Sequence, residues 1–567
     1  MASWSVFVIG LRLVAISYLL GALSHLAYRV VSTATPWRTI LAGDSRLRSW
    51  MGVALAVVAF SWVGTAATLG EKMAWALVGM VAAALTLSDV IRRWPRIMGT
   101  RAGSALRARL AGPTGLAIML ILLAVVLAAL YALIILPWMQ PDEPRHFEVA
   151  LHVARLGQPV VTSSDRVPAW EQELIASMEA LSFWWYGFSF IGWDPNNLPK
   201  SFREIWGPAY ATAFFQPPLY YTVTGGLIAL WGTHWPVETG VLLLRLFGLA
   251  LLALSLAGTY KTITELFPDR PHWALGVLGF AALWPSHLAA NAAVNNDLLA
   301  EALVIWVMYV AISLLRRGPE LGRIAWLLAL SIFAITTKRT ALTAAVVAPL
   351  ALFWGMWSVG QWRRRPLSVL GGVAVVLLVG LGLGAVLVRV GRLGLPEAFL
   401  ADLLGGVYWR NLLTFPYVEY GRAIFRTFVG WFGWMRVPLL EPFYWLGGLL
   451  LILAFLGLVR LAIRKRQRPL LARWQKQGLL LFVVAILAQT LIVIGKQLLY
   501  ADFASDSVPQ ARYFYPIAPA LFFFLWLGLM AWLPPHRRGQ GLFAGVALLL
   551  LFNLYILGFV LYPFFWL

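Results

Sequence analysis

Apolar runs of about 20 residues recur along almost the whole chain, and no other feature constrains its fold as strongly. A run of that length crosses a bilayer core of ~30 Å as an α-helix, with every backbone polar group bonded internally. Candidate spans lie at 4–28, 51–70, 73–91, 115–137, 217–231, 240–260, 273–288, 298–315, 322–337, 340–358, 367–388, 444–462, 478–495, 513–533 and 541–563. The predicted fold class is an all-α polytopic membrane protein. A charged fraction of 12% agrees with it, being about half that of a soluble protein. The first apolar run has no basic leader and no small-residue cleavage site, so it reads as a retained span.

The sidedness follows from charge. There are 45 basic and 24 acidic residues, and excess positive charge in such a protein sits in cytoplasmic loops. No soluble basic domain exists to carry nucleic-acid binding, which excludes that class of partner. Three clusters should be cytoplasmic: Arg92, Arg93, Arg96, Arg101, Arg107 and Arg109; Arg363-Arg364-Arg365; and Arg464, Lys465, Arg466, Arg468, Arg473 and Lys476. The span 115–137 then delivers Pro141-Asp142-Glu143 to the opposite side. Loop 138–216 holds nine acids and five bases, as an extracytoplasmic loop should.

One mismatch remains. Arg316-Arg317 and Arg323 should be cytoplasmic, yet four candidate spans separate them from the acidic loop, where an odd number of crossings is needed. Either one of the four is re-entrant or two form a single bent unit; segment 217–231, short and opening on Pro217-Pro218, is the candidate.

Three regions follow from this pattern: accessory spans over 1–110, a core over 111–530 containing the outer loop, and a final span in 531–567. The outer loop carries Trp170, Trp184, Trp185, Trp193 and Trp206. Aromatic rings favour the headgroup interface, which predicts short helices lying on the outer membrane face. Segment 424–436, with Trp431, Phe432 and Trp434 between Arg426 and Arg436, reads the same way. No internal repeat is evident, which counts against transporters built from inverted halves. The chain has no cysteine, excluding disulfides and thiolate chemistry.

Several polar residues stand where they could carry chemistry. Asp142 and Glu143 lie between Pro141 and Pro144, on a stiff turn directly after a span. A carboxylate beside an apolar boundary can act as a base; it can equally be a solvated helix terminus. His146 and Glu148 follow, with His146 either a ligand or a hydrogen-bonded structural residue. Asn295-Asn296-Asp297 precedes a span on the same predicted side, either to orient an acceptor or to cap the helix. Glu301, four residues on, shares a helical face with Asp297 and needs a partner or a cavity. Lys338-Arg339 can grip a phosphate or snorkel at a tight turn, and Arg512 has the same two readings. Arg245, in mid-span, requires a buried acid. No P-loop, dinucleotide glycine motif, zinc-protease motif or nucleophile elbow stands in a credible context.

Asp142-Glu143-Pro144-Arg145-His146-Phe147 resembles the acidic motif that opens the first outer loop of GT-C class membrane glycosyltransferases. The likeness is to protein O-mannosyltransferases and a related bacterial family. Four further segments resemble that bacterial family: Gln216-Pro217-Pro218-Leu219-Tyr220-Tyr221, Asn295-Asn296-Asp297, Phe432-Gly433-Trp434, and Gln510-Ala511-Arg512-Tyr513-Phe514-Tyr515-Pro516. Gln216 and Ala511 depart from it, standing where related sequences often have His and Gly. The resemblance covers about 115–530 and implies a GT-C-like multi-span bundle in a bacterial plasma membrane. It also implies a sugar donor on a polyprenyl or dolichyl phosphate, with a glycan, lipid or protein acceptor.

By that analogy Asp142, with Glu143 beside it, supplies the catalytic base, and transfer inverts the anomeric carbon. Lys338, Arg339 and Arg512 would stabilise the leaving phosphate, with His146, Asp297, Tyr513, Gln216 and Tyr220 around the substrate. Some members of the class use a divalent metal; here its candidate ligands are Asp142, Glu143 and Asp297. The alternative is a transporter or flippase of lipid-linked glycans, or an assembly subunit without catalysis.

Overall fold

The computed structural model describes residues 112–157, 168–186, 204, 216–231, 236–358, 407–463, 471–498 and 510–567. The expected spans at 4–28, 51–70, 73–91 and 367–388 lie outside the described residues. So do the basic clusters at 92–109, 363–365 and 464–468, and the loop residues Trp193 and Trp206. Residues 117–553 form one compact unit, and that unit contains every contact described below.

Among the described residues, eight helical stretches are long and apolar enough to cross a bilayer, and a bent pair makes a ninth. In chain order the unit begins with α1 (Pro113–Ile134), followed by α2 (Glu143–Leu156), α3 (Pro168–Ala180) and α4 (Phe183–Tyr186) in the acidic loop. Then come α5 (Leu219–Trp231), α6 (Val237–Leu266), and the pair α7 (Pro271–Leu283) and α8 (Pro285–Asn291). The bundle continues with α9 (Asp297–Arg317), α10 (Leu321–Ile335) and α11 (Thr343–Ser358). After α12 (Val407–Thr414) and α13 (Tyr417–Gly430), a two-residue ribbon pairs β1 (Trp431–Phe432) with β2 (Val437–Pro438). The last helices are α14 (Glu441–Ile463), α15 (Arg473–Leu498), α16 (Ala518–Met530) and α17 (Arg538–Tyr555). This is an all-α polytopic membrane architecture.

Helix α9 is the hub. Its apolar window is 78% buried against 17% for α14, and it packs on α6, α10 and α11. Small residues allow the closest approaches, as expected where lipid removes the hydrophobic drive between helices. A Cβ on Gly528 of α16 would fall 2.1 Å from the Ala454 carbonyl oxygen of α14.

The bend of 63° between α7 and α8 has an identifiable cause. Pro285 lacks the N–H that would bond the Ala281 carbonyl, and the His287 Nδ1 sits 2.7 Å from that oxygen instead. A side chain thus replaces the missing helical bond.

Helix α5 accounts for the odd crossing. Its 13 residues reach about 20 Å, short of the bilayer core. Leu219 N–H bonds the Thr336 carbonyl beside Lys338 (3.0 Å), and Gly225 packs directly on Ala150 and Val153 of α2. A few residues after α5 ends, α6 begins with Glu238 bonded by Ser177 of the acidic loop. Both ends of α5 therefore lie at the Asp142 end. Three crossing units remain between that end and Arg316-Arg317.

The far end is basic. Glu265, closing α6, pairs with Arg317 (2.7 Å) and Arg316 (3.4 Å). Gln475 of α15 donates to the Leu266 carbonyl (3.1 Å), which brings Arg473 and Lys476 to the same end, and Arg460 stacks over Trp532 near Arg537 and Arg538. The basic residues named from sequence that lie among the described ones thus gather at the end opposite Asp142.

Two elements at the Asp142 end are covered by protein. Ten of the 14 residues of α2 are buried, and α5 packs along it. Phe432 and Trp434 are buried as well, the Trp434 indole N–H donating to the Trp138 carbonyl (2.8 Å).

Candidate functional site

The turn between α1 and α2 is held in an unfavourable backbone conformation at both ends. Trp138 (φ 72°) and Asp142 (φ 67°) are non-glycine residues in the left-handed region, which costs on the order of 1 kcal/mol or more each unless surroundings enforce it. Here they do. Trp138 N–H donates to Glu143 Oε2 (2.9 Å), its indole to Ser177 (2.9 Å), and its carbonyl accepts from Trp434. The ribbon that carries Trp434 is itself turned through Gly433, Trp434 and Met435, all with positive φ.

This turn sends the two adjacent acids in opposite directions. Glu143 goes inward. Arg245 Nε and its NH2 group donate to its two oxygens at 2.8 and 2.7 Å, and Val294 N–H adds a third partner at 3.0 Å. The remaining Arg245 hydrogens satisfy the carbonyls of Ala132, Ile135 and Leu136, the C-terminal end of α1. Arg245 thus has the buried acid its position demands, and closes a helix end besides. Glu143 is fully buried and turned away from Asp142's neighbours.

Asp142 goes outward. It occupies the N-cap position of α2 yet makes no capping bond with its side chain. Its carboxylate instead pairs with Arg145 through one oxygen and Arg512 through the other. Arg512 also donates to the Pro141 carbonyl (3.0 Å). On its other side, Arg512 Nε lies 3.4 Å from Asp297, whose second oxygen is 2.6 Å from Lys338 Nζ. A chain of alternating charge therefore runs Asp142, Arg512, Asp297, Lys338. Tyr513 covers it, with Lys338 and Arg512 each 5.4 Å from its ring centre. The Asp142 side chain is 23% exposed and that of Glu143 0%, so only the first can meet a substrate without unfolding.

Burial alone would raise the Asp142 carboxyl, but Arg145 and Arg512 outweigh it and hold the group well below the usual carboxylate range. His146, one turn along α2, shares a hydrogen bond with Tyr221 (2.7 Å). Burial first, and then Lys338, Arg512 and Arg145, hold its imidazole well below its ordinary value despite Asp142, so it is neutral near pH 7.

The other sequence candidates are placed as follows. Asp297 does not cap α9; the Asn295 side chain accepts its N–H (2.9 Å), which leaves the carboxylate for Lys338 and Arg512. Glu301, one turn further, belongs to a separate buried cluster with His287 (2.9 Å) and Asn291 (3.3 Å). Tyr220 is buried with Tyr221, Val149 and Val153, where α5 meets α2. Gln216 precedes α5 at the same end, and Arg339 is half-buried at the start of a short 3-10 segment.

Arg145 and Tyr221 were not singled out from sequence. The i,i+3 spacing of Arg145 from Asp142 was the available signal for the first, while Tyr221 differs from Tyr220 only by the helical face it occupies. Asp142, Glu143 and Asp297 do not form one metal-ligand set, since Arg512 stands between two of them and Glu143 faces Arg245.

The five segments that carry the resemblance thus meet at one end of the bundle, although they are scattered over the chain from Asp142 to Pro516. No protein family, curated protein or solved structure matches the chain.

Proposed function

We propose that the chain transfers a sugar from a polyprenyl- or dolichyl-phosphate carrier to an acceptor hydroxyl on the face opposite its basic loops. The observation that carries this reading is the contact of Asp142 with Arg512, with Lys338 one carboxylate further on. It sets a partly exposed carboxylate next to two cations at a membrane boundary.

In the reaction, the acceptor O–H gives its proton to the Asp142 carboxylate. The oxygen forms a bond to the anomeric carbon from the side opposite the carrier, with inversion. The bond from that carbon to the phosphate oxygen breaks, and the phosphate leaves with the electron pair. In this reading Arg512 and Lys338 stabilise the charge gained by that leaving group.

At rest Asp142 is a weak base, because two arginines hold it low. A phosphate that draws Arg512 and Lys338 to itself relieves part of that hold and raises the proton affinity of Asp142 as the donor arrives. Tyr513, above both cations, supports their orientation.

Asparagine tolerates the left-handed backbone of position 142 and matches aspartate in size. Asp142→Asn should therefore keep the fold while reducing transfer from a labelled polyprenyl-phosphate sugar at least about 100-fold. Wild-type turnover in a folded Asp142→Asn protein would remove Asp142 as the base. Movement of labelled lipid-linked sugar across vesicles, with no sugar transferred, would favour a transporter instead.

A further inference from the structure

The end opposite Asp142 holds a second cluster of charge, where α7 and α17 begin. The two helices run side by side. A Cβ on Gly279 of α7 would fall 2.9 Å from Val546 of α17, and one on Gly545 of α17 would lie 3.5 Å from Phe280. Arg270 stands nine residues before Gly279 and Arg538 seven before Gly545. Each is therefore about 10–14 Å further along its helix toward the basic end. The two guanidinium groups act electrostatically on each other, and both act on the neighbouring His272 ring.

Neither arginine has an acidic partner among the described residues. Glu265, the buried acid of this end, is taken by Arg316 and Arg317. Asp269 precedes Arg270 in sequence, but it is exposed and pairs with neither arginine. Helix direction adds to the cost. Arg270 is the N-cap of α7 and Arg538 the first residue of α17, and neither helix has an acid in its first turn. A helix start favours negative side chains and disfavours positive ones. Two like charges brought together there lack the anion that would stabilise both.

The pair is held ready and is accessible. The Arg270 guanidinium stacks 4.6 Å from the centre of the Trp273 ring. Trp273 is in turn fixed between Phe267 and Trp526, at ring-centre distances of 4.7 and 5.8 Å. Arg538 leans on the Leu533 carbonyl through Nε alone (3.4 Å), so its two terminal nitrogens stay open to a ligand. Both arginines are half-buried and His272 is exposed. A planar guanidinium fork matches the oxygens of a phosphate.

Depth selects the source of that phosphate. Phe543, five residues into α17, is 69% exposed, so the apolar surface that meets lipid chains begins about 8 Å beyond Arg538. Trp532, at the turn before α17, is 43% exposed, as aromatic rings are at the headgroup level. A phosphate between Arg270 and Arg538 lies at that level, with room for acyl chains to run along α17 past Phe543.

We infer that Arg270 and Arg538 together bind the phosphate of an anionic phospholipid. Basic pockets between spanning helices are suited to such headgroups. The site is at the opposite end from Asp142 and does not depend on the transferase reading.

The test uses the full chain in detergent, titrated with dioctanoyl phosphatidylglycerol and read by native mass spectrometry. Dioctanoyl phosphatidylcholine and inorganic phosphate are the comparison probes. Phosphatidylglycerol should bind more tightly than phosphatidylcholine. Arg270→Gln and Arg538→Gln should each weaken it about fivefold, and the double variant about thirtyfold. The two substitutions lie on different helices, so either serves if the other does not fold. Arg323→Gln removes one positive charge from the same end, out of a pair with Glu320 (2.8 Å), and should leave the affinity unchanged.

Equal affinity in wild type and the double variant overturns the inference. So does a loss in Arg323→Gln as large as in Arg270→Gln, which would make the effect one of overall charge. Phosphatidylcholine binding as tightly as phosphatidylglycerol overturns it as well. Inorganic phosphate binding with the same dependence on both arginines, while neither lipid binds, would overturn the lipid as the source.

Discussion

Glu143 and Arg245, 102 residues apart in sequence, form a fully buried two-pronged ion pair that closes the C-terminal end of α1. Every nitrogen of the guanidinium has an acceptor. The pair ties α1, α2, α6 and the Val294 turn together directly behind Asp142, and so fixes the direction in which Asp142 points.

Removing one partner should therefore be far worse than removing both. Glu143→Gln or Arg245→Met leaves an uncompensated buried charge or unpaired carbonyls, and should destabilise by about 3–5 kcal/mol. The double variant Glu143→Gln/Arg245→Met should recover part of that loss. Thermal unfolding in detergent checks this; additive losses in the double variant would contradict the pairing.

The charge chain beside Asp142 predicts a division of labour. Lys338→Met removes a point charge from Asp297 and should raise the KM for a phosphate-linked donor about tenfold or more. Arg512→Lys keeps the charge but cannot hold Asp142, Asp297 and the Pro141 carbonyl together, and should lower kcat more than it alters KM. Equal effects of the two variants on both parameters would contradict the assignment.

The neutral, buried His146 makes stability depend on pH. Below about pH 6.5 the unfolded chain protonates this histidine, while burial keeps it neutral in the folded one. The unfolded state then binds more protons, so stability falls as pH drops through about 6.5 toward the lower folded value. Asp142, held low by its arginines, adds a further loss only as pH falls below about 4. His146→Gln should flatten the first of these slopes in melts at pH 5 to 8 and leave the second; an unchanged slope would assign it to another group.

The close approach of α14 and α16 is testable by volume. Gly528→Ala puts a methyl 2.1 Å from the Ala454 carbonyl oxygen and should cost about 1–3 kcal/mol as the helices separate. Gly226→Ala, where no atom lies within 4 Å, should be neutral or stabilising by up to about 1 kcal/mol. A comparison of the two melting temperatures separates a packing effect from helix propensity.

What the sequence by itself determined was the solvent each segment lives in. Apolar length established the spanning helices, because no other secondary structure satisfies a backbone in lipid within one segment. Loop charge established the two ends, and the structure gathers Arg316, Arg317, Arg473 and Lys476 at one and Asp142, Asp297, Lys338 and Arg512 at the other. The demand of Arg245 for a buried acid was also legible, since a lone charge in a span is too costly to leave unpaired.

Only the tertiary structure decided which acid that was, and with it which of two adjacent carboxylates faces outward. Asp142 and Glu143 are chemically near-equal and share one turn. Their roles part because the backbone is left-handed at Asp142, in a turn held at Trp138 by Ser177 and Trp434 and at Glu143 by Arg245, which sends one side chain into the bundle and the other to Arg512. The placement of α5 beside α2 and of Trp434 under the Trp138 turn was hidden for the same reason. Such contacts join segments many residues apart, and hydropathy measures how apolar a segment is without recording which neighbour it meets.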